Sequence, residues 1–550
     1  MPGVRGGVIR GRRGGLALAL PLAAALVASG CGSKKPTGPV VSTAPGGDGW
    51  HRRVVFYQVF VRSFQDSDGD GIGDLAGLID RLDYLAGLGV GALWLMPVYP
   101  SPLADSGYDV ADYRGIHPDY GDLETFRLLL DEAHQRNLKV MLDLVVNHTS
   151  NQHPWFLESR QSSDNPKADW YVWADAPAGD CRESNVIFGS ERWTLDEARG
   201  QYFFHEFLPA QPDLNFRDPA VLEEVRGMMG WWLEMGVDGF RADVPYQYVE
   251  SWPDCWYQPE TFAIHQQMRQ TLDAYPGRAM VGEIQGKPEQ VLAYLGNGSD
   301  AFHLVFYFDA MYALWGAGSG GDPTDLALAV QLAVDDTPPG GVVAYTLGNH
   351  DMFRTPRTVS EDVAALKIVA TAQLTLPGAP FIYYGEEVGL LNGQEVVVDF
   401  RDQARTPMQW DGSGTAGFTK GTPWIAMADG VKTFNVAEED RHRDSLLAHY
   451  RSLIALRNAT PALQEGSYEA VAASPLGVLA FFRRHDAGDR LVVLHFGVEG
   501  DVIVEIPTPS GWATALTDEV TGQTSGEVRD GVWRATLPPR TGLVLAPAGP

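Results

Sequence analysis

From residue 54 onward, short runs of consecutive apolar residues alternate with longer stretches in which apolar residues recur every three or four positions. The first pattern suits a strand buried on both faces, and the second a helix with one buried stripe. Eight strand candidates follow, at 54–60, 91–97, 140–145, 239–244, 280–284, 303–308, 342–347 and 381–385. Strands alternating with helices build βα units, and eight of them predict an α/β fold, a (β/α)8 TIM barrel. One interval breaks the rhythm. The stretch from Asn147 to Gln211 is aromatic, polar, rich in Asp and Asn, and too long for a single helix. It predicts a small inserted domain after the third strand, residues 147–212. From about Leu463 the pattern turns to short alternating strands at 478–483, 491–495 and 502–506, which predict a C-terminal antiparallel β-sandwich over 463–550. The barrel then spans 50–146 and 213–462.

Polar residues interrupt this apolar pattern at one kind of place, the end of a strand. Asp143-Leu-Val-Val-Asn147-His148 closes one strand, and Gly239-Phe-Arg241-Ala-Asp243 another. Gly282-Glu283-Ile284 follows a third, and Gly348-Asn349-His350-Asp351 a fourth. In a parallel barrel the C-terminal strand ends converge on one mouth, so these distant carboxylates, histidines and the arginine predict one site. Arg241 and Asp243 are two apart on a strand and share a face, where the cation favours an ionised Asp243.

Composition narrows the class of partner. A formal charge of −28 lacks the basic stripe a nucleic-acid partner needs. The 15 Trp, 20 Tyr and 23 Phe permit stacking on neutral rings. At the N-terminus, Arg5, Arg10, Arg12 and Arg13 precede an apolar run from Leu16 to Val27 that is short for a membrane span. It ends in Ala28-Ser29-Gly30-Cys31, which resembles a lipobox. Residues 1–30 are therefore expected to be a lipoprotein signal peptide, with Cys31 lipidated. The Gly-, Pro-, Ser- and Thr-rich residues 31–49 are expected to be a flexible tether. This predicts an exported, membrane-anchored protein on the periplasmic or cell-surface side. Cys181 and Cys255 would then meet an oxidising compartment, as a disulfide or as two free thiols.

A second motif, Asp66-Ser-Asp68-Gly-Asp70-Gly-Ile72-Gly-Asp74, sets oxygens at alternate positions with glycines for the turn and a carbonyl at Ile72. This spacing suits Ca2+ in a structural role, with Asp66, Asp68, Asp70, Ile72 and Asp74 as ligands. Gly77 stands where an EF-hand has its twelfth-position Glu, so the loop is not an EF-hand.

Taken together, the strand-end motifs resemble those of the α-amylase superfamily of retaining α-glycosidases, from about Val55 to the C-terminus. Three further stretches are most similar to its oligo-1,6-glucosidase and α-glucosidase branch: Gln211-Pro-Asp213-Leu-Asn215, Asp105-Ser-Gly-Tyr108-Asp109 and Phe400-Arg401-Asp402-Gln-Ala-Arg405. The resemblance implies Asp243 as nucleophile, Glu283 as general acid and then base, and Asp351 as the third carboxylate, gripping sugar hydroxyls. It also implies hydroxyl-binding His148 and His350, a Tyr108 platform, and Asp143 holding Arg241 in place. Asp105 paired with Arg405 (or Arg401) is expected to close the far end of the first sugar pocket and make the enzyme exo-acting.

The chain departs from the endo-amylase pattern after the nucleophile, reading Val244-Pro245-Tyr246-Gln247 where those enzymes carry a Lys-His pair. The expected reaction is therefore hydrolysis of malto- or isomalto-oligosaccharides. An endo-acting α-amylase and a glucan-transferring relative such as a trehalose synthase are the enzymatic alternatives. A non-catalytic glucan-binding lipoprotein is the alternative of another class, although relatives of that kind have lost carboxylates that this chain retains.

Overall fold

A computed structural model describes residues 49–179, 181, 191–471, 475–512 and 515–547. The signal segment, Cys31 and the tether except Gly49 lie outside the described residues.

All eight predicted strands form. They are β1 (Phe56–Val59), β2 (Ala92–Leu95), β3 (Lys139–Leu144), β7 (Gly239–Ala242), β8 (Ala279–Gly282), β9 (Leu304–Phe306), β10 (Val342–Thr346) and β11 (Ala379–Tyr383). They close in the order β1-β11-β10-β9-β8-β7-β3-β2, every pairing parallel. The apolar runs are explained by two cores. Inward residues such as Phe56, Trp94, Met141, Val281, Phe306 and Phe381 fill the barrel, with Phe56 stacked on Phe381 at 4.1 Å. Outward residues pack against the helices, for example Val221, Val225, Met228 and Trp232 of Pro219–Met235.

Register places the site. Asp143 on β3 pairs with Arg241 on β7, and Arg241 with Val281 on β8. Neighbours in register point the same way, so Asp143 and Arg241 both enter the barrel near its C-terminal mouth.

The insertion contains a three-stranded antiparallel sheet of β4 (Trp173–Ala174), β5 (Trp193–Asp196) and β6 (Gln201–Phe204), in the order β4-β6-β5. Two isolated bridges, His148 with Asp213 and Tyr171 with Leu214, tie its ends together beside the mouth. At the C-terminus, a six-stranded antiparallel sheet holds β12 (Ser467–Ala470), β13 (Val478–Arg484), β14 (Arg490–His495), β16 (Leu516–Asp518), β17 (Gln523–Ser525) and β20 (Thr541–Pro547). It shares a core with a three-stranded sheet of β15 (Val502–Pro507), β18 (Glu527–Arg529) and β19 (Val532–Leu537), through Phe482, Val493, Ile506, Leu516, Trp533 and Leu537.

Candidate active site

The mouth is organised around one guanidinium. Arg241 Nη1 donates to Asp143 Oδ1 at 2.6 Å and to Asp243 Oδ1 at 2.8 Å, and its Nη2 donates to Glu283 Oε2. Asp143 is fully buried, and Asp243 and Glu283 remain only 6% and 5% exposed, so nothing but this cation and hydrogen bonds offsets their desolvation. Asp143 also accepts from the Trp94 indole and the Tyr108 hydroxyl, both at 3.1 Å, which leaves it a role in holding Arg241.

Charge is unevenly balanced in this cluster. Burial pushes Glu283 up to about 7 against the pull of Arg241, and the negative charges of Asp351 and Asp143 add to the push. Burial raises Asp243 as well, again opposed by Arg241. Two carboxyls that share one cation hold a proton between them near neutrality and titrate as a pair. Asp351 behaves differently. Burial opposes its ionisation, yet the guanidiniums of Arg401 and Arg405 hold it well below the usual carboxylate range. The site therefore sets a carboxylate that favours its ionised form beside a couple that favours holding a proton.

His350 is fixed by a relay. The Gln58 amide meets its Nδ1 at 2.8 Å, and Nε2 lies 2.6 Å from the Tyr108 hydroxyl and 3.2 Å from Asp351 Oδ2. With the amide donating to Nδ1, the ring carries its proton on Nε2, and the Tyr108 hydroxyl donates onward to Asp143. Burial keeps both His350 and His148 well below the usual imidazole value, His148 at about 4, so both act as neutral hydrogen-bonding groups. The Tyr108 ring stacks on His350 at 5.3 Å, nearly parallel at 3°. The Nε2 of His148 lies 3.0 Å from the Gln211 amide, whose Nε2 also donates to Asp105 Oδ2 at 3.0 Å.

Of the two arginines expected to pair with Asp105, Arg401 does so. Asp105 is bonded by Arg401, whereas Arg405 donates to Asp351 at 3.0 Å, to Ser106 Oγ at 2.9 Å and to the His350 carbonyl at 2.9 Å. Arg401 also reaches Asp351 at 3.2 Å. The two arginines sit four apart at the ends of one short helical turn, Phe400–Ala404, so both point at Asp351 while only the first extends to Asp105. The result is a continuous charged wall, Asp105–Arg401–Asp351–Arg405. Gln58 and Trp94 were not expected at the site, because an uncharged side chain within a strand carries no signal by itself.

Away from the mouth, the loop after β1 brings carboxylate oxygens of Asp66, Asp68 and Asp74 within 4.8 Å of one another. The Asp70 carboxylate accepts from the N–H of Ile72 at 2.8 Å and stands outside that group. The cradle is tight: a Cβ on Gly71 would lie 1.9 Å from the Thr422 carbonyl, and its φ of +99° disfavours any other residue. Three hard oxygen donors in a closed loop suit a divalent cation such as Ca2+.

Fold, strand-end carboxylates and the central arginine together define a carbohydrate-active barrel enzyme. The family model for the α-amylase catalytic domain matches residues 58–466, and the chain belongs to that family of retaining α-glycosidases. The chain is 36% identical over 489 residues to a trehalose synthase/amylase of Mycolicibacterium smegmatis, covering 80% of this chain and 82% of that protein. It is 34% identical over 522 residues to an oligo-1,6-glucosidase of Bacillus cereus, covering 83% and 92%. Among solved structures, the isomaltulose synthase of Protaminobacter rubrum superposes with a TM-score of 0.81 at 30% identity, covering 90% of this chain and 99% of that one.

Proposed function

We propose that the protein is an α-glucosidase-like enzyme that cleaves malto- or isomalto-oligosaccharides from their non-reducing ends with retention. The observation that carries this reading is the pair Asp243 and Glu283 on the two arms of Arg241, backed by the Asp105–Arg401–Asp351–Arg405 wall. Asp243 attacks the anomeric carbon while Glu283 gives its proton to the glycosidic oxygen, and a glucosyl ester forms on Asp243. Glu283, now ionised, takes a proton from water as the ester breaks. Asp351, held ionised, accepts hydrogen bonds from the hydroxyls of the same ring. The charged wall closes the pocket behind that ring, which supports exo action on short chains. Transfer to a second sugar uses the same groups, and the likeness to a trehalose synthase/amylase and an isomaltulose synthase favours it as a second reading.

Two further features belong to this proposal. Cys31, following Ala28-Ser29-Gly30, anchors the enzyme outside the cytoplasm by a lipid. The Asp66–Asp68–Asp74 loop holds a structural Ca2+.

The test is a product time course on maltotriose, panose, isomaltose, trehalose and soluble starch, with the Glu283→Gln variant alongside. The expected outcome is glucose from the short substrates with starch nearly intact. Glu283→Gln is expected to lose turnover about a thousandfold while retaining binding. Rapid loss of starch viscosity, or a Glu283→Gln variant as active as the parent, would refute the reading.

A further inference from the structure

One residue of β1 is polar. Side chains alternate along a strand, so Gln58 enters the barrel on the same side as Phe56, a member of the interior core. In register it stands level with Trp94 of β2 and Tyr383 of β11. There it is 2% exposed, and burial obliges an amide to find partners. Its Nε2 meets Nδ1 of His350 at 2.8 Å.

That bond decides where a proton sits. The His350 ring is 1% exposed, lies parallel to the Tyr108 ring and meets the edge of Trp94 at 5.9 Å, so packing restricts its orientation. Burial and the guanidiniums of Arg405, Arg241 and Arg401 keep it neutral against the pull of Asp351. A neutral imidazole carries one proton, on either nitrogen. With the Gln58 N–H donating to Nδ1, the proton stands on Nε2, 2.6 Å from the Tyr108 oxygen and 3.2 Å from Asp351 Oδ2. The Tyr108 hydroxyl gives its own hydrogen to Asp143, and every donor in the series has an acceptor. A proton on Nδ1 would instead confront the Gln58 N–H and turn a lone pair of Nε2 toward the Asp351 carboxylate. Asp351 feels this difference most. Its Oδ1 is taken by Arg401 at 3.2 Å and Arg405 at 3.0 Å, while Oδ2 meets His350 and the side chain keeps 30% of its surface exposed.

We infer that Gln58 is a positioning residue: its amide fixes the His350 proton on the nitrogen facing Asp351, and so sets the carboxylate oxygen that receives the sugar. The inference rests on the glucosidase reading above, in which Asp351 grips the ring. Gln58 acts through His350. The imidazole N–H steadies Oδ2 as the two arginines steady Oδ1, and a carboxylate held at both oxygens meets a sugar hydroxyl without first reorienting.

The experiment compares the full-length parent with Gln58→Met and Gln58→Glu, by NMR of isotope-labelled histidine nitrogens and by hydrolysis of 4-nitrophenyl α-glucoside. Among the 13 histidines, the His350 signals are those missing from His350→Asn. At neutral pH the parent is expected to carry the His350 proton on Nε2 and none on Nδ1. Gln58→Met keeps the length and removes the N–H, and should lower kcat/KM by about three- to tenfold, the worth of one ordinary hydrogen bond. Gln58→Glu sets a carboxyl against Nδ1, draws a proton onto it, and should lower kcat/KM by about a hundredfold, a misplaced imidazole proton being the costlier fault. Gln58→Met answers the question where the Glu variant does not fold. A parent with the proton on Nδ1 overturns the inference, and so does a folded Gln58→Met variant as active as the parent. A Gln58→Glu variant that loses activity while the His350 nitrogens stay as in the parent makes Gln58 a packing residue and overturns it too. Parent protein releasing no nitrophenol defeats the glucosidase reading, while the nitrogen signals still decide where Gln58 puts the proton.

Discussion

At the scale of single residues, the site works because burial and charge act in opposite directions on neighbouring carboxyls. Glu283 is buried with two negative neighbours and is pushed up to about 7, whereas Asp351 faces two guanidiniums and stays ionised. A general acid must carry its proton to react, so kcat/KM should fall as pH rises through about 7. The check is a pH profile of kcat/KM on a short α-glucoside. An alkaline limb that begins only above about pH 9, close to no titrating carboxyl, would mean that Glu283 is not the acid. Much of this was legible in the chain. Arg241 and Asp243 share a strand face by period alone, and the strand-end motifs named each carboxylate. The partner of Asp105 was not legible, because a short helical turn decides whether Arg401 or Arg405 extends farther.

At the scale of elements, the eight strands were found because a strand buried on both faces is an unbroken apolar run. What such a run does not reveal is how its lower end is fastened. Asp238, just before β7, is fully buried and accepts from His134 Nε2 at 2.6 Å, Lys139 Nζ at 3.0 Å, Arg278 Nη1 at 2.8 Å and the Val140 N–H at 3.0 Å. Lys139 opens β3 and Arg278 precedes β8, so one carboxylate pins three strand starts. Burial raises its proton affinity, but His134, the Val140 N–H and Lys139 outweigh it and hold it below the usual carboxylate value. A lowered folded value stabilises the protein above the unfolded value of about 3.9, and that contribution is lost as pH falls. Asp238→Asn leaves the cations without their charge partner and should cost about 2–3 kcal/mol at pH 7. Thermal unfolding of both proteins across pH checks this. The gap in Tm should narrow as pH drops below about 4, and a gap independent of pH would assign the cost to packing instead.

At the scale of the whole molecule, closure is the problem that a barrel poses to its chain. β1 pairs with β11 across more than three hundred residues, and hydrogen bonds between those two strands are one of the means of keeping them together. The loop of residues 66–74 supplies another, because it clasps the segment that follows β11. Asp66 N–H donates to the Phe418 carbonyl at 3.0 Å, Trp424 N–H to the Gly71 carbonyl at 2.9 Å, and the Thr419 hydroxyl to the Asp66 carboxylate. Three carboxylates crowded into that loop repel one another, and a divalent cation would offset the repulsion and hold the loop in the shape that clasps the later segment. An ion that binds only the folded form adds about 2.7 kcal/mol when present at a hundred times its dissociation constant. Stripping it with a chelator should therefore lower Tm by about 3–6 °C, with calcium restoring it. The catalytic groups are bonded to one another rather than to this loop, so turnover at temperatures well below the transition should be preserved. In Asp66→Asn/Asp68→Asn the chelator should have nothing left to remove, and Tm should be the same with and without it. A parent protein whose Tm ignores both chelator and calcium would show that the loop closes the barrel by its hydrogen bonds alone.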